Sequence, residues 1–216
     1  FSIMKLIRSS FLFLFFLLFF SSTAQENDFQ IWNSISIKKK INKKNSLYLK
    51  LGLRFRENSS LKSKDFLDVK FKKYLNKLVS WSLGYRGVLD YDIYSNSIIK
   101  QRFYTDFYLS KKRKRYYFTL RNRVLVQGEK NNYKSLFRQK IQLSYNLRKT
   151  KLEPSVSYEY FYGFSKIVDK TRFNFSLAYP IYKKLDFGVG FKIQNEYYVA
   201  DPLTLYIFES KLIYKL

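Results

Sequence analysis

The chain has 216 residues, with 41 Lys+Arg against 16 Asp+Glu for a net charge of +25, and it contains neither Cys nor His. The absent Cys excludes a disulfide framework, a thiolate metal site and an acylated cysteine anchor, and the absent His removes the commonest metal ligand and general base. An apolar share of 46% is enough for a buried core, so disorder is not expected, and the length fits one domain.

A basic, aromatic-rich chain first suggests a binder of single-stranded nucleic acid. The N-terminal residues redirect that reading. From Met4 to Gln25 a short basic region (Lys5, Arg8) precedes ten consecutive Phe or Leu residues, Phe11 to Phe20, and then the small residues Ser22-Thr23-Ala24. This is the pattern of a cleavable secretory signal. The apolar run is too short for a membrane helix, which needs about 20 residues. The expected division is a signal peptide over 1–24, cut after Ala24, and an exported domain over 25–216. Export makes a nucleic-acid partner unexpected.

Beyond Gln25 the recurrent period is two, which places alternate side chains on opposite faces of a strand. Between Ser46 and Arg56, Leu47, Leu49, Leu51, Leu53 and Phe55 share one face, and Tyr48, Lys50, Gly52, Arg54 and Arg56 share the other. Tyr116, Phe118, Leu120, Val124 and Val126 oppose Arg115, Thr119, Arg121 and Arg123. Phe137, Ile141, Leu143 and Tyr145 oppose Lys134, Arg138, Lys140 and Gln142. Phe173, Phe175, Leu177 and Tyr179 oppose Arg172, Asn174 and Ser176, and Leu185 to Ile193 repeats the pattern against Asp186, Gly188, Gly190 and Lys192.

About eleven such segments are found, each long enough for a tilted transmembrane strand. Tight turns are predicted at 41–45, 75–77, 110–114, 147–150 and 180–183. More polar loops are predicted near 57–64, 91–97, 129–133, 163–169 and 199–202. Short turns at one end and longer loops at the other fit an all-β, closed, antiparallel up-and-down transmembrane barrel in a Gram-negative outer membrane. Because such barrels usually have even strand numbers, 10 or 12 strands are expected, with Phe29–Lys39 in doubt as a wall strand. Pro154 sits awkwardly within a predicted strand.

The competing architecture is a secreted basic β-sandwich that binds anionic polysaccharide, lipid headgroup or nucleic acid. The membrane reading is favoured because no segment is apolar on both faces. Tyr145, Tyr179 and Tyr214 also sit at strand ends as an interfacial girdle would. The last segment, Leu203–Leu216, aligns Tyr206, Phe208, Leu212, Tyr214 and Leu216, which suits recognition by the barrel-assembly machinery. Outer-membrane lipid is the other expected partner.

The candidate lumen-lining bases are Lys50, Arg54, Arg56, Lys70, Lys100, Arg102, Arg121, Arg123, Arg138 and Lys140, with Lys72 and Lys134 on the same faces. A charge facing lipid would cost about 2–4 kcal/mol at the midplane, so these belong inside. Asp68, Asp106, Glu153, Glu159 and Glu196 share that face as ion-pair partners. Such an interior serves either as an anion-favouring channel or as a plugged structural core. Lys38–Lys40 and Lys111–Arg115 read as solvent or headgroup contacts. Neither the carboxylates Glu159 and Asp68 nor any other set forms a catalytic, cofactor or metal motif, so no enzyme is expected.

Four short stretches carry a family resemblance. Asp28-Phe29-Gln30-Ile31-Trp32-Asn33-Ser34 is followed by a hairpin over Ile41-Asn42-Lys43-Lys44-Asn45. Leu53-Arg54-Phe55-Arg56-Glu57-Asn58 and Trp81-Ser82-Leu83-Gly84-Tyr85-Arg86 come next. Together they resemble the family called domain of unknown function 2490, a group of outer-membrane β-barrels. The resemblance implies a barrel and an outer-membrane location. It implies no catalytic residues.

Overall fold

A computed structural model describes residues 27–130, 132–164, 168–199 and 201–216. The predicted signal peptide lies outside the described residues. Eleven strands follow one another: β1 (Asn27–Lys40), β2 (Asn45–Arg56), β3 (Leu61–Tyr74), β4 (Val79–Tyr91), β5 (Ser97–Arg113), β6 (Tyr116–Glu129), β7 (Asn132–Tyr145), β8 (Glu153–Gly163), β9 (Lys170–Tyr182), β10 (Leu185–Glu196) and β11 (Thr204–Lys215). Most are rich in β-branched or aromatic residues, whereas β2 is built on leucines, and the two-residue alternation that a pleated wall with unlike faces requires runs through them.

The sheet closes on itself as a barrel, so the sandwich is not the architecture. Two expectations are corrected. The barrel has 11 strands rather than 10 or 12, and it is not wholly antiparallel, because β1 and β11 pair in parallel from Asn27↔Thr204 to Lys38↔Lys215. The two corrections have one cause. An odd number of up-and-down strands leaves the first and last running the same way, so closure must use one parallel ladder. The doubtful segment Phe29–Lys39 is therefore a full wall strand, bonded to β2 on one side and β11 on the other. At mid-seam the Ser210 hydroxyl donates to Asn33 Oδ1 at 2.7 Å.

The register fixes the tilt. Cross-strand partners followed from Trp32 through β2, β3 and β4 arrive at Ile98 on β5. Followed the other way through β11, β10, β9, β8, β7 and β6, they arrive at Lys112. The stagger from 98 to 112 is 14 residues around 11 strands. With ordinary strand spacings this corresponds to strands inclined by roughly 40° and a backbone radius of about 11 Å.

One end of the barrel carries compact turns. Asn42 Oδ1 accepts the amides of Lys44 and Asn45 at 2.9 and 2.8 Å, and Asn76 Oδ1 accepts those of Leu78 and Val79 at 2.8 and 2.7 Å. The predicted turn at 110–114 is shorter than expected. Strand β5 continues to Arg113, and Lys114 reverses the chain with a φ of 53°. At 180–183 the strand also continues, to Tyr182, with a register shift opposite Leu185/Asp186 that absorbs Pro180. Pro154 is the second residue of β8, pairing only with Leu177, so its missing N–H falls where the β7 ladder has already ended.

The other end carries the longer connections and Asn27. There Trp32, Leu205 and Ile207, packed with Leu203, form a small apolar core beside the parallel seam.

Candidate functional site

The alternation places polarity inside and apolar groups outside. The outward face of β2 exposes Leu47, Leu49, Leu51 and Leu53, and β5 exposes Phe103, Phe107 and Leu109. Charged groups on the opposite faces are buried, among them Asp68, Asp106, Arg123, Glu159, Lys192 and Glu209. A closed barrel with so many exposed apolar residues is compatible with a membrane barrel. Tyr145, Tyr179 and Tyr214 all lie on the outward face at the turn end, where Tyr145 also packs on Tyr116 at 4.9 Å between ring centroids.

Of the ten candidate lining bases, Lys50, Arg54, Arg56, Lys70, Arg102, Arg121, Arg123, Arg138 and Lys140 border one interior cavity of 760 Å³. Lys100 borders a 360 Å³ side pocket that shares Arg54, Arg86 and Arg102 with the main cavity. Lys134 lines the same side pocket. Lys72 lies below the cavity, on the turn side.

Carboxylates organise part of this charge. Asp106 accepts from Arg123 Nε at 2.5 Å and Nη2 at 2.9 Å, with added bonds from Ser82 and Tyr108. Asp68 accepts from Arg86 Nε and Tyr104 Oη, both at 2.7 Å. Glu159 collects three guanidiniums: Arg121, Arg138 at 2.8 Å and Arg172 at 3.5 Å. Glu209 binds Lys192 at 2.7 Å and Lys211 at 2.6 Å. Among the described residues, Lys50, Arg54, Arg56, Lys70, Arg102 and Lys140 make no ion pair, so the cavity keeps an excess of positive charge.

Aromatic side chains form the second part of the interior. Trp32 lies beneath Arg54 at 3.7 Å, Lys192 at 4.8 Å and Arg172 at 5.1 Å. Phe66 lies beneath Arg86 at 4.3 Å, and Phe161 beneath Arg138 at 4.3 Å. Such cation–π contacts stabilise a cation without neutralising it. The Phe66 ring fits because a glycine faces it. A Cβ on Gly52 would meet the Phe66 ring at 2.2 Å.

The cavity opens toward the loops, where Glu57 and Asn58 belong to its lining. Toward the turns its lining ends near Lys70 and Lys140. The next inward layer is a stack: Lys70 over Tyr48 at 4.6 Å, and Lys72 over Tyr108 at 4.0 Å and Tyr74 at 5.0 Å. The interior thus combines a cavity toward the loops with a Tyr–Lys layer toward the turns.

Outside the strands, Asp92 organises a loop by accepting the amides of Tyr94 and Asn96 and the Asn96 side-chain amide, at 2.8–2.9 Å. These bonds, that from the Asn96 side chain foremost, hold its carboxyl below the usual carboxylate range.

Several interior residues were not among the candidates: Arg86, Lys211, Glu209 and the aromatics Trp32, Phe66, Tyr104 and Phe161. Parity was the available signal. Trp32 shares its parity with Gln30 and Ser34, and Phe66 with Asp68 and Lys70. A rule that sends every apolar residue outward hides them. Among the described residues no group of three or more His, Cys, Asp or Glu side chains is arranged to hold a metal ion.

The model of the family described as protein of unknown function (DUF2490) matches residues 29–202, so the chain belongs to that family. The matched span covers β1 from Phe29 through β10 and stops before β11. No curated protein matches the chain.

Proposed function

We propose that this member of the DUF2490 family is an integral β-barrel of a Gram-negative outer membrane, without enzymatic activity, whose cationic interior takes up small anionic solutes from the loop end. One observation carries the reading, the inversion of polarity across the wall: Leu51 is 55% exposed outside, whereas Asp106 is 0% exposed inside. In water this arrangement leaves a broad apolar surface unburied. In lipid it is the favourable one, and closure pairs the backbone of every wall strand.

The signal-like N-terminal sequence and the outward tyrosines at the turn end support the same reading. In this orientation the tight turns and Leu216 face the periplasm, and the loops and Asn27 face outward. Outer-membrane lipid and, through β11, the barrel-assembly machinery are the proposed partners.

A purely structural interior is the second reading, favoured by the Tyr–Lys stack that underlies the cavity. Fractionation tests the location: the protein should resist carbonate extraction, require detergent and migrate faster on gels when unheated. Recovery in the carbonate-soluble fraction would sink the proposal. Planar-bilayer recording tests the interior, where any current should favour anions. A cation-selective current would overturn the solute role and leave the structural one.

A further inference from the structure

Arg54, Arg86 and Arg102 are the arginines common to the main cavity and its side pocket. Arg86 and Arg102 are direct cross-strand partners on the inward face, a like-charge pairing that destabilises a bare sheet. Arg54 lies within electrostatic reach of both. Arg86 spends its Nε on Asp68. Arg54 and Arg102 have neither an ion pair nor a side-chain hydrogen bond among the described residues, and the Nε of each is buried without an acceptor.

The neighbouring charges do not restore balance. Lys64 and Lys100 both bond Asp90, at 2.5 and 2.7 Å. With Asp68 and Asp90 as the nearby carboxylates, the five cations keep an excess of three. Farther along the side pocket Lys134 and Glu129 cancel. Arg54 and Arg86, held over the Phe66 ring with Arg54 also over Trp32, and the unpaired Arg102 therefore form a site whose charge an anion would balance. Guanidinium pairs match the planar faces of oxyanions bidentately, and a phosphate monoester carries about −1.5 to −2 charge at neutral pH, which offsets half or more of the local excess. The 760 Å³ of adjoining space, floored by aromatic rings, leaves room for the organic part.

We propose that Arg54 and Arg86, over the Phe66 ring, together with Arg102 beside Arg86, form a binding site for the phosphate group of a phosphate monoester that enters from the loop end. The site rests on the barrel being oriented and folded as proposed above. Trp32 provides a reporter, because it lies 3.7 Å beneath Arg54, whereas the other tryptophan, Trp81, is on the outward face. In detergent-folded full-length barrel carrying Trp81→Phe, glucose 6-phosphate should change Trp32 emission saturably at constant ionic strength, and glucose with sodium chloride should not. Calorimetry on the unsubstituted barrel repeats the titration without the substitution.

Arg54→Gln and Arg102→Gln should each weaken binding by about tenfold or more, the loss expected of one charge-assisted contact. Arg115→Gln, at the opposite end, should change nothing. A second arm offers mixed micelles of phosphatidic acid against phosphatidylcholine. Binding of the free sugar phosphate identifies a soluble solute, and binding of phosphatidic acid alone identifies a lipid headgroup; either supports the site. Absence of both, or binding indifferent to Arg54→Gln and Arg102→Gln, overturns it. A barrel that stays in the membrane fraction yet fails to bind refutes the site alone, whereas carbonate extraction refutes the reading beneath it.

Discussion

The Tyr104 ring occupies the space that a side chain at Gly84 would need: a Cβ there would lie 2.2 Å from Tyr104 Cζ. The two residues face each other across β4 and β5. The phenol is anchored by its bond to Asp68, and the ring lies 3.8 Å beneath the Arg123 guanidinium. The ring cannot yield without disturbing two ion pairs. Gly84→Ala should therefore destabilise the folded barrel by about 1–3 kcal/mol, the usual cost of overpacking. Urea unfolding from lipid vesicles measures it, and Gly87→Ala, where nothing lies closer than 3.7 Å, is the matched control.

Asp106 is the carboxylate most completely enclosed by protein. Its loss leaves Arg123 buried without its bidentate acceptor, so Asp106→Asn should cost about 3–5 kcal/mol. The double substitution Asp106→Asn with Arg123→Gln should recover part of that loss, because the unpaired charge is then removed as well. Equal destabilisation of single and double variants in vesicle unfolding would contradict the pairing.

The lipid-facing assignment makes a depth-dependent forecast. Leu51 lies near the middle of β2 and Leu47 near its turn end, both outward. Leu51→Arg should cost about 2–4 kcal/mol and Leu47→Arg about 0–1 kcal/mol in a bilayer. Equal penalties would argue against a membrane midplane at Leu51.

The stack beneath the cavity should limit current. Unsubstituted barrel in a planar bilayer is expected to show little conductance, and Tyr108→Ser together with Tyr48→Ser should open anion-selective steps. Unchanged conductance in the double variant would show that the obstruction lies elsewhere.

Asp92 gives a pH dependence confined to one loop. Its folded-state carboxyl is held below its unfolded range by the Asn96 side chain and two amides. The contribution to loop order is therefore present at neutral pH and lost as pH falls through the lowered folded value. Amide exchange at Tyr94 and Asn96 should accelerate in acid beyond the intrinsic trend, and Asp92→Asn should abolish that excess.

Much of this barrel is written locally. A two-residue period in which Leu47 to Phe55 oppose Tyr48 to Arg56 determines which face each side chain takes, because the pleat allows no other choice. The basic lining was legible for the same reason, as nine of the ten candidate bases border the main cavity and Lys100 its side pocket. Composition likewise determined that no thiolate or imidazole chemistry is available. What the sequence could not determine depends on pairing between distant residues. Whether Phe29–Lys39 joins the wall is decided by its contact with β11, more than 170 positions away at Asn33–Ser210, and that contact fixes the odd strand number and the parallel seam. Trp32, Phe66 and Tyr104 read as apolar residues, yet their parity turns them inward, where cations cover them and Gly52 and Gly84 make room for Phe66 and Tyr104. Which bases are neutralised is also a three-dimensional matter: Glu159 gathers Arg121, Arg138 and Arg172 from three other strands, while Arg54 and Arg102 are left without a carboxylate. Periodicity assigns a face; only closure of the sheet assigns partners.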